Sequence, residues 1–239
     1  SPRKAYILLG AEPALDCADG AAAKAALAQA GTVIHIGSFV GDAADYADVM
    51  LPAAPFTETS GSFINTEGRL QSFNAVVKPL GETRPAWKVL RVLGNLFALE
   101  GFDFESSDAV RDEALAGDFS ARLSNVVSGV VPKVDAEPTG LQRIADIGIY
   151  STDPLVRRAS SLQKTRDAAA PLARLNPATL VELGIEAGSD VVVTSSQSRI
   201  QIRSLADKSV PQGCVRVSGA HASTVALGAM FGELSVERV

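Results

Sequence analysis

Mostly apolar residues in the first fifty positions of the chain form three short runs, and these runs predict β-strands. The runs cover residues 6–9, 32–36 and 48–51, and this length is typical of strands that are buried on both faces. Between the first two runs lies an alanine-rich segment, residues 19–30, with high helix propensity. A strand, a helix and a second strand at this spacing predict a parallel α/β sheet.

Helical periodicity replaces this pattern in the middle of the chain. Apolar residues at intervals of three and four predict an amphipathic helix that begins near Pro85 and ends at Gly101. The stripe expected to pack into the core consists of Trp87, Leu90, Leu93, Leu96 and Phe97. Ser106 predicts the cap of a second helix, and residues 119–127 carry a third apolar stripe. We therefore expect a helical segment after the sheet.

Weaker signals lie on either side of this helical segment. Residues 75–77 predict a short strand before it. Residues 129–144 contain two prolines and two glycines, which predict an irregular connector. Thr152-Asp-Pro is a good helix start and predicts a helix that reaches about residue 165.

Short strands and turns dominate the last seventy residues. Ile200 and Ile202 alternate with polar neighbours, as in a half-buried strand, and the spacing of such strands predicts a small β-barrel. The expected fold class is therefore α/β. It consists of a partial parallel α/β sheet region with a helical extension at residues 1–145, a linking helix at 146–170 and a small barrel at 171–239.

Composition and charge exclude several classes of protein. The 239 residues carry a net charge of -5, so we expect no nucleic-acid partner. The longest apolar runs are far shorter than the roughly 20 residues that span a bilayer, so we expect no direct membrane insertion. Cys17 and Cys214 are expected to be reduced and buried, and two cysteines cannot hold an iron-sulfur cluster, which needs about four. His35 is expected to be a satisfied core histidine and not a metal ligand.

Polar residues that could form a binding site are densest after the third predicted strand, in residues 52–71. A loop at a strand end lies where α/β sheets place their binding crevices, and this one carries Glu58, Asn65, Glu67 and Arg69. One interpretation is a self-bonded loop, in which Arg69 pairs with a glutamate and Asn65 binds backbone groups. The other is a site for a phosphate-bearing ligand, although two carboxylates beside one arginine argue against it. A buried ion pair here would make Arg69→Ala destabilising by about 1 to 3 kcal/mol.

Two separated blocks of sequence resemble the molybdopterin oxidoreductase superfamily. The first reads Ala-Asp-Val-Met-Leu-Pro at 47–52, Asn-Thr-Glu-Gly-Arg-Leu-Gln at 65–71 and Arg-Pro-Ala-Trp at 84–87. The second reads Ile-Tyr-Ser-Thr-Asp-Pro-Leu-Val-Arg-Arg-Ala-Ser-Ser at 149–161. Both are similar to the large iron-sulfur subunit of the proton-pumping NADH-quinone oxidoreductase, respiratory complex I. Motifs within 176–213 resemble the double-psi β-barrel that ends molybdopterin enzymes.

The resemblance implies that the chain is the carboxyl-terminal region of a longer bacterial protein, this large iron-sulfur subunit. In that family the iron-sulfur clusters are ligated in the amino-terminal portion, so they belong to the parent protein and we expect no cofactor in this chain. The parent transfers electrons from NADH to quinone. The implied role of this region is structure and contact surface among the other peripheral-arm subunits, on the cytoplasmic side of the bacterial inner membrane, without catalysis of its own.

Two alternatives remain beside this interpretation. One is a molybdenum or tungsten bis-pterin oxidoreductase of the formate dehydrogenase or nitrate reductase type. Its members more often read Asn-x-Glu-Arg-Arg where this chain has Glu67-Gly68-Arg69, so one basic group is missing from the place that would face phosphates. The other is a free-standing interaction module that uses the helix from Thr152 or the barrel surface.

Two sets of candidate site residues follow. Strand ends face the pterin nucleotide in the superfamily, so the resemblance implies a vestigial pterin cleft lined by Gly10, Gly37, Phe39, Asn65, Glu67 and Arg69. The second set is a basic helix face, which in an acidic chain suits an acidic partner, and it consists of Arg157, Arg158 and Lys164. We expect no catalytic residue and no metal ligand in the chain.

Overall fold

The computed structural model describes residues 3–124, 126, 129, 140–196 and 198–239. The chain divides into two compact units. The α/β unit contains Ile7–Gly10 and Thr32–Lys133, and the barrel unit contains Ser1–Tyr6, Ala11–Gly31 and Val134–Val239. The alanine-rich helix near the amino terminus is therefore grouped with the barrel and not with the sheet.

A three-stranded sheet with the strand order β1-β2-β3 positions the candidate cleft. Its strands are β1 (Ala5–Leu9), β2 (Thr32–Gly37) and β3 (Val49–Pro52). β2 and β3 run parallel, with Ile36 paired to Leu51, and Ile36 is fully buried. The three predicted strands and the parallel pairing of β2 with β3 are confirmed.

A β-hairpin occupies much of the stretch that was expected to be an irregular loop. It is formed by β4 (Gly61–Ile64) and β5 (Leu70–Phe73), which pair antiparallel. The rings of Phe63 and Phe73 stack with their centroids 5.4 Å apart. The hairpin places residues 65–69 at its turn.

The strand predicted at residues 75–77 is wrong. Val76 and Val77 both donate their backbone N–H to the carbonyl oxygen of Thr57, at 2.9 and 3.2 Å. In a β-strand, the N–H groups of successive residues point to opposite sides. Two successive N–H groups that donate to the same carbonyl therefore belong to a bend and not to a strand. The strand of this region lies earlier in the chain, at β5.

The helix predicted from Pro85 to Gly101 is shorter than expected. α3 (Ala86–Leu96) ends five residues before Gly101, and Ala98 has a left-handed φ of 52°, which a helix cannot include. Leu96 and Phe97 are 76% and 65% exposed. The prediction that they pack into the core is therefore wrong.

The second predicted helix is confirmed as α4 (Ser107–Ala114). The hydroxyl oxygen of Ser106 accepts a hydrogen bond from the backbone N–H of Ala109 at 3.1 Å, which is the expected cap. Of the apolar stripe predicted at residues 119–127, Phe119–Arg122 form a 3-10 turn, and residues 125 and 127 lie outside the described residues.

The small barrel predicted from the sequence is confirmed. Six strands close it in the order β10-β6-β11-β8-β9-β7. They are β6 (Leu141–Ile144), β7 (Ala173–Leu175), β8 (Asp190–Thr194), β9 (Arg199–Ala206), β10 (Cys214–Arg216) and β11 (Gly232–Arg238). The pairs β6–β10 and β7–β9 are parallel and the other four are antiparallel. Inward-facing apolar side chains of these strands fill the barrel, including the fully buried Leu175, Val191, Val193 and Val215.

One barrel strand comes from a stretch that was expected to be irregular. β6 lies within residues 129–144, so the predicted connector is wrong over its last four residues. Residues 130–139 lie outside the described residues. The region boundaries expected at residues 145 and 170 remain predictions.

Four helices complete the described part of the barrel unit. They are α1 (Pro13–Asp16), α2 (Gly20–Ala28), α5 (Pro154–Arg158) and α6 (Pro177–Glu182). α5 begins where predicted, since the Asp153 carboxylate accepts from the backbone N–H of Leu155 and Val156. It ends at Arg158 because Ala159 is extended, with φ -76° and ψ 93°. The linking helix predicted to reach residue 165 is therefore wrong in length.

Within the described ranges, no helix combines the length and apolar character that crossing a bilayer requires.

Candidate functional site

The carboxyl ends of β1 and β2 bring two of the predicted cleft residues to one edge of the sheet. Gly10 follows β1 and donates its backbone N–H to the carbonyl oxygen of Ile36 at 2.8 Å. Gly37 ends β2, and its carbonyl oxygen accepts from the backbone N–H of Ala53 at 2.9 Å. Gly10 has a φ of 59°, which favours glycine whatever lies nearby. The backbone conformation of Gly10 therefore explains a glycine at that position without a ligand.

His35 occupies the space that the glycine at the end of β2 leaves open. Residues two apart lie on the same face of a strand, and a Cβ on Gly37 would stand 2.4 Å from Nε2 of His35. The same Nε2 donates to the carbonyl oxygen of Phe39 at 3.1 Å. His35 is buried, and its Nδ1 has no hydrogen-bond partner among the described residues. The expected core histidine is confirmed, with one of its two nitrogens satisfied.

Apart from Phe39, whose carbonyl accepts from His35, the remaining predicted cleft residues meet at the hairpin turn between β4 and β5. The Asn65 Oδ1 accepts from the backbone N–H of Glu67 at 3.0 Å and of Arg69 at 2.9 Å. The Asn65 backbone bonds across the turn as well, donating to the Arg69 carbonyl at 3.1 Å and accepting from Gly68 at 2.9 Å. Asparagine commonly closes turns in this way. The self-bonded interpretation is confirmed for Asn65.

Gly68 is the residue on which the shape of this turn depends. Its φ is 80°, a conformation that side chains with a Cβ rarely adopt. A Cβ at this position would also lie 2.6 Å from Cδ1 of Leu123. The backbone conformation favours glycine here, and a Cβ would require the Leu123 side chain to move.

Arg69 pairs with Glu67 as expected, but the expectation that this pair stabilises the fold is wrong. The side chains of Arg69 and Glu67 are 72% and 73% exposed, and their charged atoms are 3.9 Å apart. Glu58 is engaged elsewhere, since its Oε2 accepts from the backbone N–H of Leu80 at 2.9 Å and from the Thr83 hydroxyl at 3.3 Å. Water screens an exposed pair, so Arg69 does not carry the stability expected of it.

We predict opposite outcomes for two substitutions in this turn. Asn65→Ala leaves two backbone donors of the turn without their acceptor, and we expect it to lower the free energy of unfolding by about 1 kcal/mol. Arg69→Ala is expected to change it by less than about 0.5 kcal/mol. Trp87, the only tryptophan, lies in the same unit, so its fluorescence during urea unfolding reports both variants. Asn65→Asp keeps the acceptor oxygen and is the control. A larger loss for Arg69→Ala than for Asn65→Ala would contradict this account.

In the barrel unit, two of the predicted interface arginines bind carboxylates of the chain itself. Arg157 donates to Glu12 at 2.8 Å, to Asp16 at 2.6 Å and to the Ser151 carbonyl at 2.9 Å. Arg158 donates to the second oxygen of Glu12 at 2.5 Å. The side chains of Arg157 and Glu12 are only 10% and 13% exposed. We call Arg157, Arg158, Glu12 and Asp16 the arginine clasp.

Lys164, the third predicted interface residue, is not part of the arginine clasp. Lys164 lies beyond the end of α5 in a 3-10 turn (Leu162–Lys164) and is exposed. The three basic residues therefore do not form one helix face, because α5 ends at Arg158. An interface of this surface with another protein chain remains a prediction.

The clasp changes the acidity of its central carboxylate. Partial burial raises the pKa of Glu12, but hydrogen bonds from Arg158 and Arg157 outweigh it, and the pKa lies below the usual 4.5. Glu12 therefore stays ionised at neutral pH and holds both guanidinium groups.

A polar cavity of about 550 Å³ in the barrel unit contains groups that no sequence motif indicated. Arg216 donates to one oxygen of Asp146, and the Ser218 hydroxyl donates to the other at 2.7 Å. Arg216 and Asp146 are 70 positions apart, and the parallel pairing of β6 with β10 brings them together. No local sequence pattern predicts an ion pair between residues so far apart, so it could not be found from the sequence.

The charges around this cavity largely neutralise one another. Burial raises the pKa of Asp146, but the bonds from Arg216 and Ser218 lower it below its usual range. Arg174 lies 3.6 Å from Asp207. Burial lowers the pKa of His221 below 6.5, so the ring is neutral at pH 7. The cavity offers hydrogen-bonding groups and little uncompensated positive charge.

Arg143 is a second group that sequence reasoning missed. It is 3% exposed and donates to the carbonyl oxygens of Ala229 at 2.8 Å, Gly228 at 3.3 Å and Val217 at 3.4 Å. Burial lowers its pKa, yet a guanidinium remains protonated in proteins. Arg143 thus holds two loops of the barrel unit from inside.

The two cysteines are free, as expected, but Cys17 is exposed. The expectation of a buried thiol is wrong there. Burial of its sulfur, with the nearby Asp16 carboxylate adding to the effect, nevertheless raises the pKa of Cys17. Within the described ranges, no group of three or more His, Cys, Asp or Glu side chains is arranged to hold a metal ion.

Two family profiles match the chain. Residues 1–96 match the family described as Molybdopterin oxidoreductase. Residues 151–233 match the Molydopterin dinucleotide binding domain. The first match contains the sheet, the hairpin and α3, and the second contains five of the six barrel strands, at least in part.

Segments of much longer proteins are similar to a part of this chain. It is 37% identical over 87 residues, 36% of its length, to a protein of Staphylococcus aureus (strain MRSA252) named "Putative formate dehydrogenase". It is 37% identical over 92 residues, 38% of its length, to "Probable oxidoreductase YjgC" of Bacillus subtilis (strain 168). The matched segments span only 8% and 9% of those two proteins.

The fold as a whole is similar to that of a solved structure. Acetylene hydratase from Pelobacter acetylenicus superposes with a TM-score of 0.67 over 99% of this chain and 44% of the hydratase chain. The two sequences are 16% identical, so the similarity concerns the fold alone.

Proposed function

We propose that this chain is the carboxyl-terminal region of the large iron-sulfur subunit of a bacterial complex I. The proposal is consistent with the molybdopterin oxidoreductase domain and the molybdopterin dinucleotide-binding domain that the chain contains. Its role there is scaffold and contact surface within the peripheral arm, on the cytoplasmic side of the inner membrane. The parent carries electrons from NADH through iron-sulfur clusters to quinone, and this region catalyses no step itself.

The observation that carries the proposal is the conformation of Gly68. Pterin-binding members of the superfamily resemble this chain in the turn but more often place an arginine at that position. Here the residue has a φ of 80°, and a Cβ would displace the Cδ1 methyl of Leu123. The conformation of the turn thus favours glycine over arginine, which supports the loss of one phosphate-binding group from this site.

Asn65, Gly10 and Gly37 support the same conclusion, because the groups that they would offer to a ligand are engaged or blocked within the chain, whereas the side chains of Arg69 and Glu67 are exposed. The Asn65 side-chain oxygen binds two backbone donors of its own turn. The Gly10 backbone N–H binds the Ile36 carbonyl, and His35 fills the space beside Gly37. A phosphate-bearing pterin needs donors that are free to reach it. These residues, as they stand, do not fit that group.

Metal and pterin analysis of the intact parent protein, isolated from its source cells, tests this proposal. We expect stoichiometric iron together with no stoichiometric molybdenum, tungsten or pterin. Stoichiometric pterin with either metal would overturn the proposal. Purification of the parent with NADH-dependent quinone reductase activity would support the assignment to complex I, and its isolation as a separate enzyme would contradict it.

A second candidate function is a molybdenum or tungsten oxidoreductase of the formate dehydrogenase type. It is favoured by the 37% identity with the Staphylococcus aureus protein of that name, although that similarity covers only 87 residues. Formate-dependent reduction of a dye by the intact parent, together with bound pterin, would establish it. The same preparation distinguishes the two candidates, because complex I oxidises NADH and not formate.

A further inference from the structure

An open groove of about 560 Å³ runs along α3 in the α/β unit. Apolar side chains of the helix line it, and we call Val89, Val92 and Leu96 its floor. Val92 is 49% exposed and Leu96 is 76% exposed. Single exposed apolar residues are ordinary, but a contiguous apolar row in a groove marks a binding surface.

The spacing of the floor residues indicates what shape of partner would fill the groove. Val89, Val92 and Leu96 follow each other at intervals of three and four residues, which is the seam along which two helices pack. From Lys88 to Leu96 the helix rises by about 12 Å, enough for two turns of a second helix. The floor therefore fits the apolar face of an amphipathic helix.

Three basic side chains also line the groove, and we call Lys88, Arg91 and Arg84 its rim. Lys88 and Arg91 have no carboxylate of the described residues within ion-pair distance. Lys88 Nζ lies 5.3 Å from the centroid of the Trp87 ring. Arg91 donates from Nη1 to the Phe104 carbonyl at 2.8 Å, and its buried Nε has no hydrogen-bond partner in the described part of the chain.

The third rim cation and the acidic residues leave a positive balance. Arg84 is 3.8 Å from Glu82, whose side chain is 93% exposed, and Glu105 is the acidic residue of the lining. With Glu82 counted as the partner of Arg84, the three cations stand against two carboxylates, in a chain whose net charge is -5. The local charge has the opposite sign to that of the whole chain, so the rim selects for negative groups.

We propose that this groove docks an acidic amphipathic helix of another polypeptide, with apolar residues on the floor and carboxylates against Lys88, Arg91 and Arg84. Charge at positions beside an apolar seam sets which helix binds and in which orientation. The inference goes beyond the scaffold function, since it rests on the groove alone and holds whether or not the parent carries a pterin.

Two synthetic helical peptides of about 20 residues test the proposal with the full chain. Both carry leucines at intervals of three and four, and the positions beside the leucines are glutamate in one peptide and lysine in the other. Fluorescence anisotropy of labelled peptide measures binding. We expect the acidic peptide to bind at least about tenfold more tightly than the basic one and to weaken as salt is raised.

Three variants locate the binding in the groove. Leu96→Asp changes an exposed side chain of the floor and is expected to abolish binding of the acidic peptide. Lys88→Glu is expected to weaken it at least about fivefold, in line with the loss of one close charge pair. Lys78→Glu makes the same charge change on an exposed residue outside the groove and is the matched control. Circular dichroism of each variant verifies that it is folded.

Three results would overturn the proposal. One is equal binding of both peptides, which would show that charge plays no part, and another is binding that Leu96→Asp leaves unchanged. The third is no peptide binding together with binding to vesicles that contain phosphatidylserine, which would assign the basic rim and apolar floor to an anionic membrane surface.

Discussion

Replacement of Arg143 by alanine is expected to lower the stability of the barrel unit by about 3 to 5 kcal/mol. The guanidinium is 3% exposed and binds the carbonyls of Val217, Gly228 and Ala229. Its removal leaves buried acceptors without a donor and opens a cavity, and each unsatisfied group costs about 1 to 3 kcal/mol. A loss of this size is a large share of the stability of an ordinary domain.

Hydrogen exchange measured by mass spectrometry suits this prediction, because it resolves the barrel strands from the rest of the chain. We expect faster exchange in β6, β10 and β11, while the urea midpoint seen by Trp87, which lies in the α/β unit, stays the same. Arg199→Ala removes an exposed arginine of β9 and should change stability by less than about 0.5 kcal/mol. Arg143→Lys keeps the charge without the fork of donors and should fall between the two. Equal effects of Arg143→Ala and Arg199→Ala would refute a structural role for Arg143.

The second large effect is expected for Arg157→Ala, at about 2 to 4 kcal/mol of the barrel unit's stability. Arg157 bonds to Glu12, Asp16 and the Ser151 carbonyl. Both it and Glu12 are nearly buried, so the water that weakens surface ion pairs is largely absent. Its loss leaves the Glu12 carboxylate in a partly dry site with Arg158 as its remaining partner in the clasp.

The pH dependence of this loss has a definite sign. The clasp holds the pKa of Glu12 below its usual 4.5. A group with a lowered folded-state pKa contributes stability that is present above the unfolded pKa and is lost as the pH falls through the folded one. The difference between the wild-type chain and Arg157→Ala should therefore be largest near neutral pH and shrink below about pH 4.5. Urea midpoints of the barrel unit across about pH 3 to 7 measure it.

Lys164→Ala is the matched control for the clasp. Lys164 comes from the same predicted basic face but is exposed, so its removal should change stability by less than about 0.5 kcal/mol at every pH. A difference between Arg157→Ala and the wild type that stayed constant down to about pH 3 would show that Glu12 is not the group involved.

Most elements of the fold were predictable because their signals are local. Ser106 and Asp153 cap the helices that they were expected to begin, and Asn176 caps α6. The errors fall where a tertiary contact decides. Residues 75–77 bond to Thr57 in place of a strand, and β6 takes its place in the barrel through partners about 70 to 90 positions away.

The turn residues of the candidate site were predictable, as was the bonding of Asn65, but the exposure of Arg69 was not. Asn65, Glu67 and Arg69 do meet in one turn, because they are neighbours in sequence. Which of them supports the turn depends on exposure, and exposure follows from packing. Arg69 proved to be exposed, while the polar group that matters is the Asn65 oxygen.

The sequence by itself determined β1 to β3, the helix starts near Pro85, Ser106 and Asp153, and the motifs similar to those of molybdopterin oxidoreductases, since each depends on residues within a few positions of one another. Only the tertiary structure decided which charges are neutralised. Arg157 pairs with Glu12, which lies 145 positions away. Lys88 has no carboxylate within ion-pair distance in the described part of the chain, although in the sequence Arg157 and Lys88 are equally basic residues of a helix. An ion pair requires two groups to lie within about 4 Å, and no periodicity along the chain encodes that distance.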